Sequence, residues 1–336
     1  MIRKYLVLVL VLSCILALGN RSAYAAPIPS RGPGATLLVT GMQSGSGSTI
    51  GPDGALYVTE GAAGRVLRVN PETGRVSTFA SGLPKWLPIL GMGGAMDVAF
   101  IGQTAYVLVT LVGSDWGGSD VVGIYRVDGP HSFTVIADIG QWSIDNPPPP
   151  TTSYDTPTGV QYAMQPYRGG FLVNDAHHNR FLKVGLDGRI TQLFQFGDIV
   201  NTGLALKGNT IYIAEAGPIP HLPQNGKIVS FREGSNTTTQ VAAGAPLLVD
   251  VEFGPSRSLY GLAQGFWNGP YEGTPAEPNT GSLVKVNDDG TFNVIVAGLN
   301  QPTSLEFIEN TAYVVTLTGE IWKIACVSDT PHCEDY

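Results

Sequence analysis

Short runs of alternating apolar and polar residues recur along the chain, each bounded by Gly, Asn, Asp or Pro. Ile50 to Val58, Phe100 to Val107, Leu206 to Ile213, Phe253 to Gly261 and Phe307 to Val314 share one frame, and Tyr162 to Val173 fits it with a longer turn. Each reads as a strand, a tight turn and a strand opening on an aromatic or β-branched residue. A second hairpin follows. Val66 to Val69, a turn at Asn70 to Gly74, and Val76 to Phe79 is the clearest, and Phe181 to Leu193 and Leu283 to Ile295 repeat it. Ile124 to Val127 and Ile228 to Phe231 open two others. Four antiparallel strands per unit result. The marker residues Tyr57, Tyr106, Leu172, Tyr212, Tyr260 and Tyr313 are spaced by 49, 66, 40, 48 and 53 residues. Such units read as blades, and six markers predict an all-β, six-bladed β-propeller. No amphipathic helix of useful length is expected.

The last unit ends at Glu320 to Ile324 without a fourth strand, and Thr36 to Val39 stands spare before the first. Docking the spare strand on the last blade would close the ring and cover an open edge. The predicted propeller spans residues 35–325, after a linker at 26–34 and before a tail at 326–336. Composition agrees. In 336 residues, 43% are hydrophobic and 14% charged, which supplies a core and excludes a disordered or coiled-coil chain.

The first 25 residues predict export. Arg3 and Lys4 precede an apolar stretch from Tyr5 to Leu18, too short for a membrane anchor, and Ala23-Tyr24-Ala25 is a cleavage site. Cys14 sits in a poor lipoprotein box. The expected location is secreted or periplasmic, with no transmembrane anchor. The net charge is −8, and losing Arg3, Lys4 and Arg21 with the leader takes it to −11, which argues against nucleic acid as a partner. A monomer whose partner is a small molecule or an envelope protein is expected. Cys326 and Cys333 can close a small disulfide loop in an oxidising compartment, or remain two tail thiols.

Turns on one face of the predicted ring are short. Those on the other are long: 80–95, 111–121, 138–156, 216–226 and 264–281. This asymmetry points to binding on the long-loop, or top, face. Trp86, Trp116, Trp142 and Trp267 fall in these loops, and Trp116 and Trp267 are expected at the rim. An indole offers a large rigid apolar face with one donor, which suits an aromatic, sugar or protein ligand. Covering the core is the alternative role.

Carboxylates follow the repeat. Three residues past the marker stand Glu60, Asp175 and Glu215. Three residues before the inner-strand aromatic or aliphatic residue stand Gly47, Asp97, Gly159, Gly203, Asp250 and Ser304. If both positions face the channel, Glu60, Asp97, Asp175, Glu215 and Asp250 converge and call for protonation or a divalent cation such as calcium. His177 and His178 add ligand candidates for a transition metal. Holding water or satisfying loop amides is the structural alternative. No nucleophile elbow, zinc-protease, P-loop or dinucleotide motif is present.

Together with the leader, Gly51 to Glu60, Pro157 to Val160, Ile211 to Glu215 and Gln301 to Leu305 resemble, in that order, the ScyD/ScyE family within the NHL-type six-bladed propellers. The resemblance covers nearly the whole mature chain. It implies export and accessory work on small aromatic metabolites outside the cytoplasm. Two other functions stay open. One is a divalent-metal lactonase or hydrolase, with Asp97, Asp175, Asn201 and Asp250 imitating the site of gluconolactonase-type propellers. The other is an envelope interaction scaffold.

Overall fold

A computed structural model describes residues 34–271 and 273–328. They form six four-stranded antiparallel sheets, making a six-bladed β-propeller. The inner strands are Gly45–Ile50, Gly94–Ile101, Gln161–Tyr167, Asn201–Lys207, Leu248–Phe253 and Pro302–Ile308. Each contacts the next and the last contacts the first, so they form a closed ring around a channel. Blades one to five take their outer strands from the chain that follows: Val76–Ser81, Ser132–Asp138, Ile190–Gln195, Thr239–Ala243 and Phe292–Leu299. The outer strand of blade six is Ala35–Val39. It runs antiparallel to Ile321–Ala325, with Thr36 opposite Lys323 and Leu37 opposite Trp322.

The core lies between adjacent sheets. Blade two contributes Tyr106, Leu108 and Ile124 to one such cluster, and blade three contributes Phe171, Val173 and Leu182. The recurring marker tyrosine has its physical reason in these contacts. Tyr57 meets Phe100 of blade two at 4.7 Å between ring centroids, Tyr106 meets Phe171 of blade three at 5.0 Å, Tyr212 meets Phe253 of blade five at 5.1 Å, and Tyr260 meets Phe307 of blade six at 4.8 Å. Tyr313 closes the series by donating its hydroxyl hydrogen to the Pro71 carbonyl of blade one (3.2 Å). Aromatic pairs with tilted or edge geometry add to the gain from burial. The marker repeats because each blade must grip the next.

One short helix, α1 (Ile139–Asp145), lies in the long connection between blades two and three. Asp138 caps it by accepting from the Gln141 N–H at 2.8 Å. Two turns are too short to show a helical period. No helix among the described residues is long and apolar enough to cross a membrane. The leader, most of the linker and Cys333 lie outside the described residues. Cys326 is disulfide-bonded.

Candidate ligand-binding site

A funnel opens on the long-loop face and runs down the ring of inner strands, enclosing about 1290 Å³ of space with its open mouth included. The starts of the inner strands and the loops above them form its collar. Met92, Met96, Tyr162, Val200, Leu247, Val249 and Leu317 make that collar largely apolar, while His177, His221 and Gln264 bring polar groups to it. Ile89, Tyr154, Ile219 and Tyr271 are exposed on the surrounding loops. Asp97, Asp250, Glu252, Glu306 and Gln165 lie deeper.

Asp97 and Asp250 play equivalent parts three blades apart. Asp97 accepts the Val98 N–H of its own strand and the Met164 N–H of blade three, both at 2.8 Å. Asp250 accepts from Val251 and from Leu305 of blade six, also at 2.8 Å. Ser304 does the same for blade one, taking the Ser48 N–H at 3.0 Å. Each side chain thus stitches one inner strand to the next. The preceding blade must leave room. A methyl group added at Gly47 would lie 2.2 Å from Asp97 Oδ1, and one at Gly203 would lie 2.4 Å from Asp250 Oδ1. The equivalent position in blade three is Ala163. Gly159 is therefore out of register, because Gln165 pairs with the marker Leu172.

Glu252 and Glu306 escaped the sequence reading, although the signal was there. They follow Asp250 and Ser304 by two residues, and a strand returns to the same face every second residue. Gln165 Nε2 of blade three donates to Glu252 Oε1 of blade five at 3.2 Å, bridging the channel two residues below the aspartates. Burial pushes the Asp97 carboxyl up to about 8 and Asp250 up to about 7, and Asp250 raises Asp97 further. Glu252 and Glu306 are driven well above the usual carboxylate range, first by burial and then by their acidic neighbours. The Tyr162 hydroxyl is raised for the same reasons. At neutral pH this floor holds protons as well as charge.

The other three expected carboxylates stand elsewhere. Glu60, Asp175 and Glu215 end second strands, one strand out from the channel, each opposite a base that begins the third strand: Arg65, Arg180 and Lys227. Cross-strand charge pairing explains their repetition. Glu60 bonds Arg65 Nε and accepts the Gln43 N–H. Asp175 accepts from Arg180 Nε at 2.8 Å and from the Val160 N–H at 3.1 Å. Arg180 is fully buried. It also donates to Ser143 Oγ and the Asn146 carbonyl and lies 4.9 Å from the Trp142 ring, while His178 Nδ1 stands 3.0 Å from Asp175 Oδ2. His178 Nε2 donates to the Thr156 carbonyl at 3.0 Å. This network fastens the 138–156 loop to blade three. Burial pushes Asp175 up, but His178 and Arg180 outweigh it and hold the carboxyl below its ordinary value. Burial lifts Glu215 to about 7 against the pull of Lys227.

The five carboxylates therefore do not converge, and a calcium cage built from them is not formed. Among the described residues no group of three or more His, Cys, Asp or Glu side chains is placed to hold a metal ion. The lactonase-like set also separates. Asp97 and Asp250 line the funnel, whereas Asn201 is buried and donates to Asn174 Oδ1 and the Arg180 carbonyl. The residues do not fit the divalent ion of that set. Of the two histidines, His177 lines the funnel, its Nδ1 3.9 Å from Asp155 Oδ1, and His178 does not.

None of the four loop indoles lines the funnel. Trp267 backs its rim: Nε1 donates to Thr274, and the ring meets His221 edge-on at 5.4 Å. Trp142 stacks on Arg180. Trp116 lies in the short turn Ser114–Trp116 with its Nε1 buried and lacking a hydrogen-bond partner among the described residues. Trp86 is tied to the Gly61 carbonyl by its backbone N–H, not by its indole, at 3.0 Å. These indoles are half-buried and support the loops that shape the mouth.

No family model matches the sequence, and no curated protein matches it. Solved structures do resemble the fold. Virginiamycin B lyase from Staphylococcus aureus is 12% identical with a TM-score of 0.52, over 87% of this chain and 98% of that one. A gluconolactonase from Xanthomonas campestris is 11% identical with a TM-score of 0.58, over 87% and 89%. A luciferin-regenerating enzyme is 10% identical with a TM-score of 0.58, over 87% and 94%. At these identities the likeness is one of fold, the six-bladed β-propeller.

Proposed function

We propose that this protein is an exported propeller that binds a small, largely apolar ligand in the central funnel of its top face. The observation that carries this reading is the funnel itself: an apolar collar above a few buried polar groups, the usual chemistry of a small-molecule site. Export rests on the leader sequence. An accessory role toward small aromatic metabolites outside the cytoplasm rests on the ScyD/ScyE resemblance. The binding surface moves inward from the indoles to Met92, Met96, Tyr162, Leu247 and Leu317.

The test is titration of indolic and phenolic compounds against wild type, Leu317→Arg and Trp116→Ala. Leu317 is half-buried at the mouth, so an arginine there should obstruct entry and weaken the best ligand by about tenfold or more. Trp116→Ala should bind as wild type does. Equal binding by all three proteins would place the ligand outside the funnel.

A hydrolase is the second reading. A buried carboxyl with a pKa near neutrality, such as Asp97, suits general acid–base work. A gluconolactonase is among the proteins of similar fold. Fold likeness alone does not carry chemistry. No lactone hydrolysis by the wild type would remove this reading, and hydrolysis that persists in Asp97→Asn would remove Asp97 as its acid–base group.

A further inference from the structure

The funnel combines two features that a neutral ligand would not use together. Four carboxyl groups face one narrow channel, and no Lys or Arg is among the described residues that line it. Glu306 accepts no hydrogen bond among the described residues, and the one side-chain bond to Glu252 comes from an uncharged amide. Ser46 is nine-tenths buried in the same wall. Its hydroxyl makes no hydrogen bond to the described residues, so it remains available to an occupant. Above these groups the collar is apolar. A bare metal ion would need three or more ligating side chains brought together, and that arrangement is missing among the described residues. A charged head on an apolar body matches both levels. The head reaches the acidic floor and the body lies against Met96, Tyr162 and Leu247.

Resting on the assignment of the funnel as a ligand site, we infer that the ligand is an organic cation. It carries an ammonium group, held at Glu252 or Glu306 with Asp97 and Asp250 adding negative charge from the same channel, on an apolar body of roughly aromatic-ring size. A buried carboxylate gains most from a partner of opposite charge that enters without its water. A cation over tyrosine gains further from the ring face. An anionic ligand would meet the same floor as repulsion.

The experiment is calorimetric titration of the full chain at pH 8 with four probes: 2-phenylethylamine, 2-phenylethanol, 3-phenylpropionate and calcium chloride. The amine should bind about tenfold tighter than the alcohol, a difference of 1.4 kcal/mol, and the carboxylate should bind weakest. In Glu252→Gln/Glu306→Gln the advantage of the amine over the alcohol should vanish while alcohol binding persists. The comparison in wild type stands without the variant. If the alcohol or the carboxylate matches the amine, the cation inference falls and the funnel remains a ligand site. If calcium binds and the aromatic probes do not, the floor is a metal site and the inference falls. If none of the four binds, both the inference and the assignment of the funnel fall.

Discussion

Two sets of buried acids divide this molecule. Asp175 ends a second strand, meets Arg180 at 2.8 Å, and is held below its ordinary pKa against the cost of burial. Asp97 lies within an inner strand, meets only backbone N–H groups, and is pushed up to about 8. The residue type is the same and both are buried, but the charge opposite decides the outcome. A base across the strand pair makes a carboxylate part of the frame. Its absence leaves a group that still responds to protons and to ligands. Glu215 lies between the two: Lys227 is opposite, yet burial dominates and the carboxyl rises to about 7.

The largest expected effect tests the paired set. Arg180→Ala leaves the buried Asp175 with only His178 and the Val160 N–H as partners, and removes the bonds to Ser143 and Asn146. It should cost roughly 3–5 kcal/mol in urea unfolding. A loss under about 1 kcal/mol would mean that the pair is ornamental and would erase the contrast with the channel.

Next in size is the pH response of the unpaired set. Asp97 titrates near 3.8 when unfolded and near 8 when folded, so between these values the folded chain holds the extra proton. Stability therefore falls as pH rises from about 4 to 8. Asp250, Glu252 and Glu306 act in the same sense. Tyr162, His177 and His221 are the other titratable groups facing them. The change should be on the order of 3 kcal/mol, read as a lower Tm at pH 8 than at pH 5. Asp175 works oppositely: its stabilisation is full above 3.8 and is lost as pH falls below. A Tm rising steadily from pH 5 to 8 would contradict the channel assignment.

Asp97→Asn separates charge from stitching. The amide oxygen can accept one N–H and carries no charge, so stability at pH 8 should stay within about 1 kcal/mol of wild type and the pH slope should flatten. A loss as large as that of Arg180→Ala would show that the two acceptor bonds, rather than the charge, govern this position. The smallest effect is Lys227→Met. Removing the weak pull on Glu215 should raise its titration midpoint, followed by carboxyl NMR, and shift stability by about 0.5 kcal/mol.

The blades were legible because tight Gly, Asn or Asp turns recur through them and five of the six carry the same inter-blade tyrosine. The sequence also held the clue to the paired acids. Arg65 and Arg180 each follow their acid by five residues, the spacing of facing strand ends around a tight turn. Reading the acids without these bases sent Glu60, Asp175 and Glu215 to the channel. Glu252 and Glu306 were accessible through strand alternation from Asp250 and Ser304. The fate of the indoles was not legible: whether Trp267 faces the funnel or the loop behind it depends on the path of residues 264–280, and no local period fixes that path.

The pairing of Ala35–Val39 with Ile321–Ala325 has a mechanical consequence. The strands are antiparallel, and Gly34 bonds Ala325 at the edge where both chains depart. Tension applied through residues 34 and 325 would load their hydrogen bonds one after another, like a zipper, rather than all together in shear. The strand should peel at low force, leaving the inner ring closed. The propeller is thus weakest along the seam that joins its two ends, and a pull directed there would open blade six long before it disturbed the funnel.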